Sequence, residues 1–257
     1  MIAIVGILMA LLLPAIQSTR ESARRAQCSD HLRELGAGLL SYHAARGCFP
    51  PGCVDRTARK LAWSLFLLPY IEETAVYDAY DQKSLYYAAA NRQATSAVVA
   101  IYLCPSTVRF TRARDENTTG DVNGNGRYDP GDFMGAIDYG GMFGWADSPV
   151  FANGVMIYDQ AISLRQITDG SVHTILVAED SGRGTTMDGE WADGENIFDS
   201  GLPINAQQNN EIWSDHPGGA QVLYCDGSVH FLSEALSLSL LAALCTRAGG
   251  EVTEVPP

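Results

Sequence analysis

Oxygen-bearing side chains recur at a regular spacing in one short segment, Asp121 to Phe133 (DVNGNGRYDPGDF). Counted from Asp121, positions 1, 3, 5, 9 and 12 are Asp121, Asn123, Asn125, Asp129 and Asp132. Gly126 stands at position 6, where a chain wrapping a cation must turn sharply, and Arg127 at position 7 would offer its backbone carbonyl. A hard divalent cation such as calcium takes six to eight oxygens from a flexible loop, and this spacing supplies them. Position 12 is Asp rather than Glu, which shortens its bidentate reach. The competing reading is an Asn/Gly/Asp turn without metal. The matched positions favour calcium, and the lack of flanking helical patterns favours a free-standing loop over a paired sensor.

A second constellation lies near the end of the chain. His216-Pro217-Gly218-Gly219 opens a segment in which nine residues separate the histidine from Asp226-Gly227-Ser228. Asp226-Gly227 between two apolar runs is a hairpin turn, and Gly218-Gly219 lets the chain enter a strand. His216 reads first as a structural histidine hydrogen-bonded to a neighbouring turn, with metal ligation and catalysis as rival roles. An Asp215–His216 pair with Cys225 or Ser228 as nucleophile is disfavoured. Both candidates abut a tight turn, and neither a third orienting group nor a Gly-rich oxyanion loop is evident. Asp169-Gly170-Ser171 is a second turn of the same chemistry, and Glu179-Asp180 after it is a weaker cation candidate. No catalytic residue is assigned, and the chain is expected not to be an enzyme.

The elements that must position these groups begin with a helix. Met1 to Ile16 carries no charge, and the Arg-rich stretch after it contains no helix breaker. One helix is expected over residues 1–46, apolar over 1–16, with Pro14 as a kink. Leu32, Leu35, Leu39 and Leu40 form its apolar stripe, and Gly47-Cys48-Phe49-Pro50-Pro51-Gly52 ends it. Leu61 to Asp81 and Asn91 to Leu103 are further helical candidates, and residues 107–150 read as Gly- and Asp-rich loop. Strands are expected at Val155 to Tyr158, Thr174 to Ala178, Gln221 to Tyr224 and Ser228 to Leu232. A polar loop is expected over Gly182 to Asn210 and a closing helix over Ser233 to Ala248. This order, helices and then a small antiparallel sheet, is α+β. Residues 47–257 form the head.

Charge divides unevenly. Residues 1–60 hold 8 Lys/Arg against 4 Asp/Glu, residues 61–257 hold 9 against 26, and the whole chain carries −13. An acidic body repels phosphates, which argues against nucleic acid as a partner. Six cysteines, at 28, 48, 53, 104, 225 and 245, suit either disulfides in an oxidising compartment or buried free thiols. Cys48-x4-Cys53 and Cys104-Pro105 form no zinc spacing. By the positive-inside rule, Arg20, Arg24 and Arg25 would face the cytoplasm.

IAIVGILMALLLPAIQSTRESARRAQC (Ile2 to Cys28) resembles the N-terminal helix of type IV pilin-like and pseudopilin proteins. The chain most resembles a bacterial family of unknown function, number 1559, which joins a prepilin-type helix to a C-terminal H-x9-DG motif, here His216 to Gly227. FPPG (49–52), LLPYIEE (67–73), LCPS (103–106), ITDGSVHTILVAE (167–179), HPGGAQVLYCDGSVHFL (216–232) and RAGGE (247–251) resemble its landmarks, in order. The calcium-like loop is not among them and reads as an insertion similar to dockerin loops. The resemblance implies a pilin-like fold, a long helix packed on a globular head with a small antiparallel sheet. It also implies export by the prepilin-peptidase route, with the head outside the cytoplasm. The family's leader, Gly–Phe cleavage site and early Glu do not appear, so the start of the mature helix is expected upstream of Met1.

The expected function is a structural subunit: anchored in the inner membrane by its N-terminal helix, self-associating through those helices, and handled by pilus or type II secretion-like machinery. Its place is the cell envelope or an extracellular filament. The alternative is a membrane-tethered module that binds carbohydrate or protein through the loop at 182–210, with Trp191 and Trp213 as candidate exposed anchors, although a core role suits Trp213 better.

Overall fold

A single helix carries the architecture. The computed structural model describes residues 2–57, 60–107, 113–114, 134–146, 148, 150, 152–181, 189–208 and 211–251, with the backbone alone for 2–11 and 113–114. Helix α1, Ile2–Arg46, runs unbroken through Pro14 over 45 residues, a length of about 68 Å. Gly47 ends it in the left-handed region (φ 79°), its N–H returning to the His43 carbonyl at 2.7 Å. Cys28, Leu32, Leu35 and Leu39 are fully buried along one face, while Leu12, Leu13 and Ile16 are 53, 62 and 47 % exposed. The second half of α1 is therefore core, and the described part of its first half is not. Among the described residues, no helix is long and apolar enough to cross a membrane.

The buried face lies on a five-stranded sheet in the order β7-β5-β6-β8-β9. Its strands are β5 (Tyr139–Trp145), β6 (Ile175–Glu179), β7 (Ile197–Ser200), β8 (Gly219–Tyr224) and β9 (Val229–Ser233). All neighbours are antiparallel except β5 and β7. Alternation along the strands separates two cores. Tyr139, Val177 and Leu223 face α1, whereas Ala178, Val222 and Tyr224 face the closing helix α5, Leu238–Cys245. Ordered layers of α1, sheet and α5 make the fold α+β, as expected. Arg25 stacks its guanidinium 3.1 Å from the Phe231 ring and so covers the β9 edge.

Several expectations need correction. Leu61 to Asp81 is not one helix but β2 (Leu61–Ala62, paired with β1, Cys53–Val54), α2 (Trp63–Leu67), a 3-10 turn at Leu68–Tyr70 and α3 (Thr74–Asp78). Pro69 and Glu72, at φ 66°, interrupt it. Asn91 to Leu103 likewise reduces to α4 (Arg92–Thr95) and a 3-10 turn at Ala100–Tyr102. Val155 to Tyr158 is not a strand. Val155 and Met156 N–H both donate to the Met142 carbonyl, at 3.1 and 3.0 Å, which bends the chain against β5, and Ile157 and Tyr158 form only isolated bridges, with Gln160 and Cys53. β5 and β7, by contrast, lie where loops were expected. In β5 (YGGMFGW), Gly141 passes so near Met156 that a Cβ there would meet its side chain at 2.8 Å, so the glycines serve packing and hide the strand pattern. The closing helix is also shorter than Ser233 to Ala248, because β9 runs to Ser233 and the N-cap is Ser237. Two small ladder strands, β3 (Ala113–Arg114) and β4 (Met134–Gly135), pair with each other. They flank the segment Asp121 to Phe133, which lies outside the described residues together with Asp121, Asn123, Asn125, Arg127, Asp129 and Asp132.

Candidate functional site

The H-x9-DG segment frames the β8–β9 hairpin. Gly218 (φ 86°) sits in the left-handed region before β8, and Gly219 begins the strand against the Leu232 carbonyl, where no Cβ fits. At the other end Asp226 Oδ1 accepts the Ser228 N–H at 2.9 Å and its hydroxyl at 2.7 Å. Gly227 (φ 89°) faces α1, where a Cβ would meet Leu40 Cδ1 at 2.7 Å. The turn therefore depends on glycine both for its dihedral and for the seating of the helix.

His216 does not face this turn. Its backbone N–H donates to Ser214 Oγ at 3.0 Å, but its ring reaches into a buried cluster built from four separate segments. Nδ1–H donates to Glu21 Oε1 on α1 at 2.6 Å. Nε2 lies 3.5 Å from Cys104 Sγ and 3.5 Å from Glu179 Oε1. Cys28, on α1, donates its thiol to Glu179 Oε1 at 3.0 Å and lies 3.1 Å from the Tyr139 hydroxyl. One donor atom each from Cys28, Cys104, Glu179 and His216 fits within 4.8 Å of the others. All four residues are buried.

Local structure explains the convergence. Strand alternation puts Glu179 on the α1 side with Val177, opposite Tyr139 in the β5–β6 register. Cys28 begins the α1 stripe that continues through Leu32, Leu35 and Leu39. Cys104 follows the 3-10 turn at Ala100–Tyr102, its N–H held by Asp138 Oδ2 at 2.8 Å. Glu179 Oε2 accepts the Gln221 N–H from β8 at 2.6 Å, leaving Oε1 to the cluster. Glu21 is itself held by Arg24 Nη2 at 2.5 Å and by Ser106 Oγ at 3.1 Å.

These contacts shift the acidities. Burial pushes the Glu179 carboxyl up to about 8 and drives the Cys28 thiol above its ordinary range. The hydrogen bond from Cys28, with His216 beside it, outweighs burial and pulls the Cys104 thiol well down. Burial opposes the charged form of His216, yet Cys104, Glu179 and Glu21 together raise it to about 9. Burial likewise works against the Glu21 carboxylate, but hydrogen bonds to His216, Arg24 and Ser106 hold it below its usual value.

The arrangement corrects the sequence reading of these groups. Cys225 is buried beside the hairpin, and His216 bonds to neither Cys225 nor Ser228 among the described contacts. The thiol that His216 meets is Cys104, with Glu21 as the carboxylate behind it. That order resembles a thiol–imidazole–carboxylate relay, but Cys104 is only 4 % exposed and His216 1 %, which bars a substrate from the sulfur. All six cysteines are free, the second of the two readings that the sequence left open. Trp191 is fully buried, its Nε1–H donating to the Ala97 carbonyl at 2.9 Å, so it is no exposed anchor. No local spacing signals the cluster. What the sequence does show is that Cys28, Cys104, Glu179 and His216 each stand in a different landmark segment.

A family model described as "Protein of unknown function (DUF1559)" matches residues 17–203 and 195–238, which include all four residues. No curated protein and no solved structure matches the chain.

Proposed function

The chain belongs to the DUF1559 family, and from that premise we propose that it is a non-enzymatic, pilin-like structural subunit of the cell envelope. The observation that carries this reading is α1, one helix of 45 residues whose second half is the spine of the head core while Leu12, Leu13 and Ile16 lie exposed. A soluble domain gains nothing by extending an apolar helix into water. The same helix suits a bilayer before assembly and a bundle of its own kind afterwards. Residues 2–16 of α1 supply about 22 Å of apolar helix, most of a hydrocarbon core of about 30 Å. In this reading the head stands outside the cytoplasm, pilus or type II secretion-like machinery handles the subunit, and the helices of successive copies pack together. Calcium held by Asp121, Asn123, Asn125, Arg127, Asp129 and Asp132 would brace a loop of the head.

Cysteine crosslinking in native envelopes tests the assembly. Ile16→Cys should give crosslinked dimers, whereas Val172→Cys, equally exposed on the head, should not. If Ile16→Cys yields monomers alone and imaging shows only dispersed heads, the subunit reading is wrong. Calorimetry on chelator-treated protein tests the loop: binding should vanish in the Asp121→Ala, Asp129→Ala double variant. Absence of binding by the unmodified chain at millimolar calcium rejects it.

A further inference from the structure

We propose that Cys28, Cys104, Glu179 and His216 form a closed, structural zinc site that fastens the stem helix to the head. The donor set selects the metal. Two thiolates and an imidazole favour a soft or borderline ion such as zinc over calcium or magnesium, and four protein ligands with no open position mark a structural rather than a catalytic site.

The geometry agrees. A tetrahedral zinc with bonds of about 2.3 Å to sulfur and about 2.0 Å to nitrogen and oxygen sets its ligand atoms about 3.3–3.8 Å apart. Cys28 Sγ and Glu179 Oε1 stand 3.0 Å apart, and His216 Nε2 stands 3.5 Å from both Cys104 Sγ and Glu179 Oε1. Two of these separations fall in that range and the first is slightly shorter, and all four donor atoms lie within 4.8 Å of one another, so a small adjustment of side chains closes them round one ion.

Each ligand is also oriented from outside the cluster. The Glu21 carboxylate accepts His216 Nδ1–H, which leaves the Nε2 lone pair for the metal. Gln221 N–H fixes Glu179, the Tyr139 hydroxyl stands by to donate to Cys28, and Asp138 holds the Cys104 backbone. Binding exchanges protons for the ion: the ligands enter as two thiolates, a carboxylate and a neutral imidazole, and each releases to solvent whatever proton it holds in the empty site. No redox change is involved. The ligands come from α1, the segment after the Ala100–Tyr102 turn, the end of β6 and the approach to β8. One ion would therefore join the helix to the sheet across residues 28 to 216.

The test uses the full chain in mild detergent, isolated under reducing conditions and analysed for metal by mass spectrometry. Stoichiometric zinc is expected. After its removal, added cobalt should give intense d–d bands of a tetrahedral ion together with thiolate-to-cobalt charge transfer. Cys104→Ser and His216→Ala should abolish the charge-transfer pattern or reduce stoichiometry to background, whereas Cys48→Ser and Asp129→Ala should leave both unchanged. Because a ligand variant can also fail by misfolding, the cobalt spectrum of the unmodified sequence decides. A folded, reduced chain that takes up no cobalt, or gives an octahedral spectrum without charge transfer, overturns the proposal. So does a Cys28–Cys104 disulfide in protein isolated from the envelope.

Discussion

Replacing Leu35 with alanine tests whether the second half of α1 belongs to the head core. Leu35 is fully buried midway along the stripe of Cys28, Leu32 and Leu39. Truncation removes three carbons, which at about 0.8 kcal/mol per buried methylene withdraws about 2.4 kcal/mol of transfer free energy. A cavity term is added to the extent that the surroundings cannot collapse. Next to it, Gly36 brings the helix so near β8 that a Cβ there would sit 2.7 Å from Leu223 Cδ1, so the backbone has little room to settle into the void. The cavity term then falls at about 1–2 kcal/mol and the total at about 3–4 kcal/mol, a large share of the stability of a typical domain. Urea unfolding of the full chain in mild detergent, followed by circular dichroism, should show a lower midpoint with an unchanged slope. Leu13→Ala, at a position 62 % exposed, should stay within about 0.5 kcal/mol of the parent. A loss below about 1 kcal/mol for Leu35→Ala, or equal losses at both positions, would refute the division of α1 into a core half and a free half.

Glu21→Gln removes the carboxylate behind His216 without touching a ligand. It should weaken zinc binding by about 10–100-fold at unchanged stoichiometry, read by competition with a chelator, and unchanged affinity would show that Glu21 does not orient the ring. Gly227→Ala meets both a left-handed dihedral and Leu40, so a loss of about 1–3 kcal/mol is expected; a neutral outcome in the same unfolding assay would contradict the seating of α1 on the hairpin. Glu211 accepts hydrogen bonds from Ser200 Oγ at 2.8 Å and from Gly201 N–H at 3.0 Å, yet burial keeps its carboxyl above the usual carboxylate range. An acid raised in this way contributes stability that is complete below its unfolded pKa and is lost as pH rises through its folded pKa. Glu211→Gln keeps the acceptor and should remove that part of the decline, so the variant should gain on the parent as pH rises from about 4.5 to neutral. A constant difference across that range would contradict the assignment.

The two halves of the H-x9-DG segment separate what is written locally from what is not. Asp226-Gly227 was legible as a hairpin because the turn's chemistry resides in its own two residues. Gly218-Gly219 as a strand entry and the stripe of leucines on α1 were legible for the same reason. Strands β5 and β7 were not: β5 is rich in glycine because Met156 and Asn153 lie against it, and β7 is only four residues long. In both, the reason for the strand is a neighbour distant in sequence. Val155 to Tyr158 failed the opposite way: Val155, Met156 and Ile157 are buried as expected, but two successive N–H groups share one carbonyl of β5 and no ladder follows.

By itself the sequence determined the long helix, its apolar first half and its buried stripe, the hairpin, the α+β class and the oxygen spacing of Asp121 to Asp132. All of these are periodicities or contiguous motifs, whose physics acts over a few residues. Only the tertiary structure decided the company that His216 keeps. The sequence offered Asp215, Cys225 and Ser228 beside it, but the pleat of β6 turns Glu179 toward α1, and the stripe of α1 carries Cys28 to the same place. The turn after Ala100–Tyr102 then sets Cys104 against the ring. Four donors spread over residues 28 to 216 leave no spacing to read, because what brings them together is the burial of a helix on a sheet.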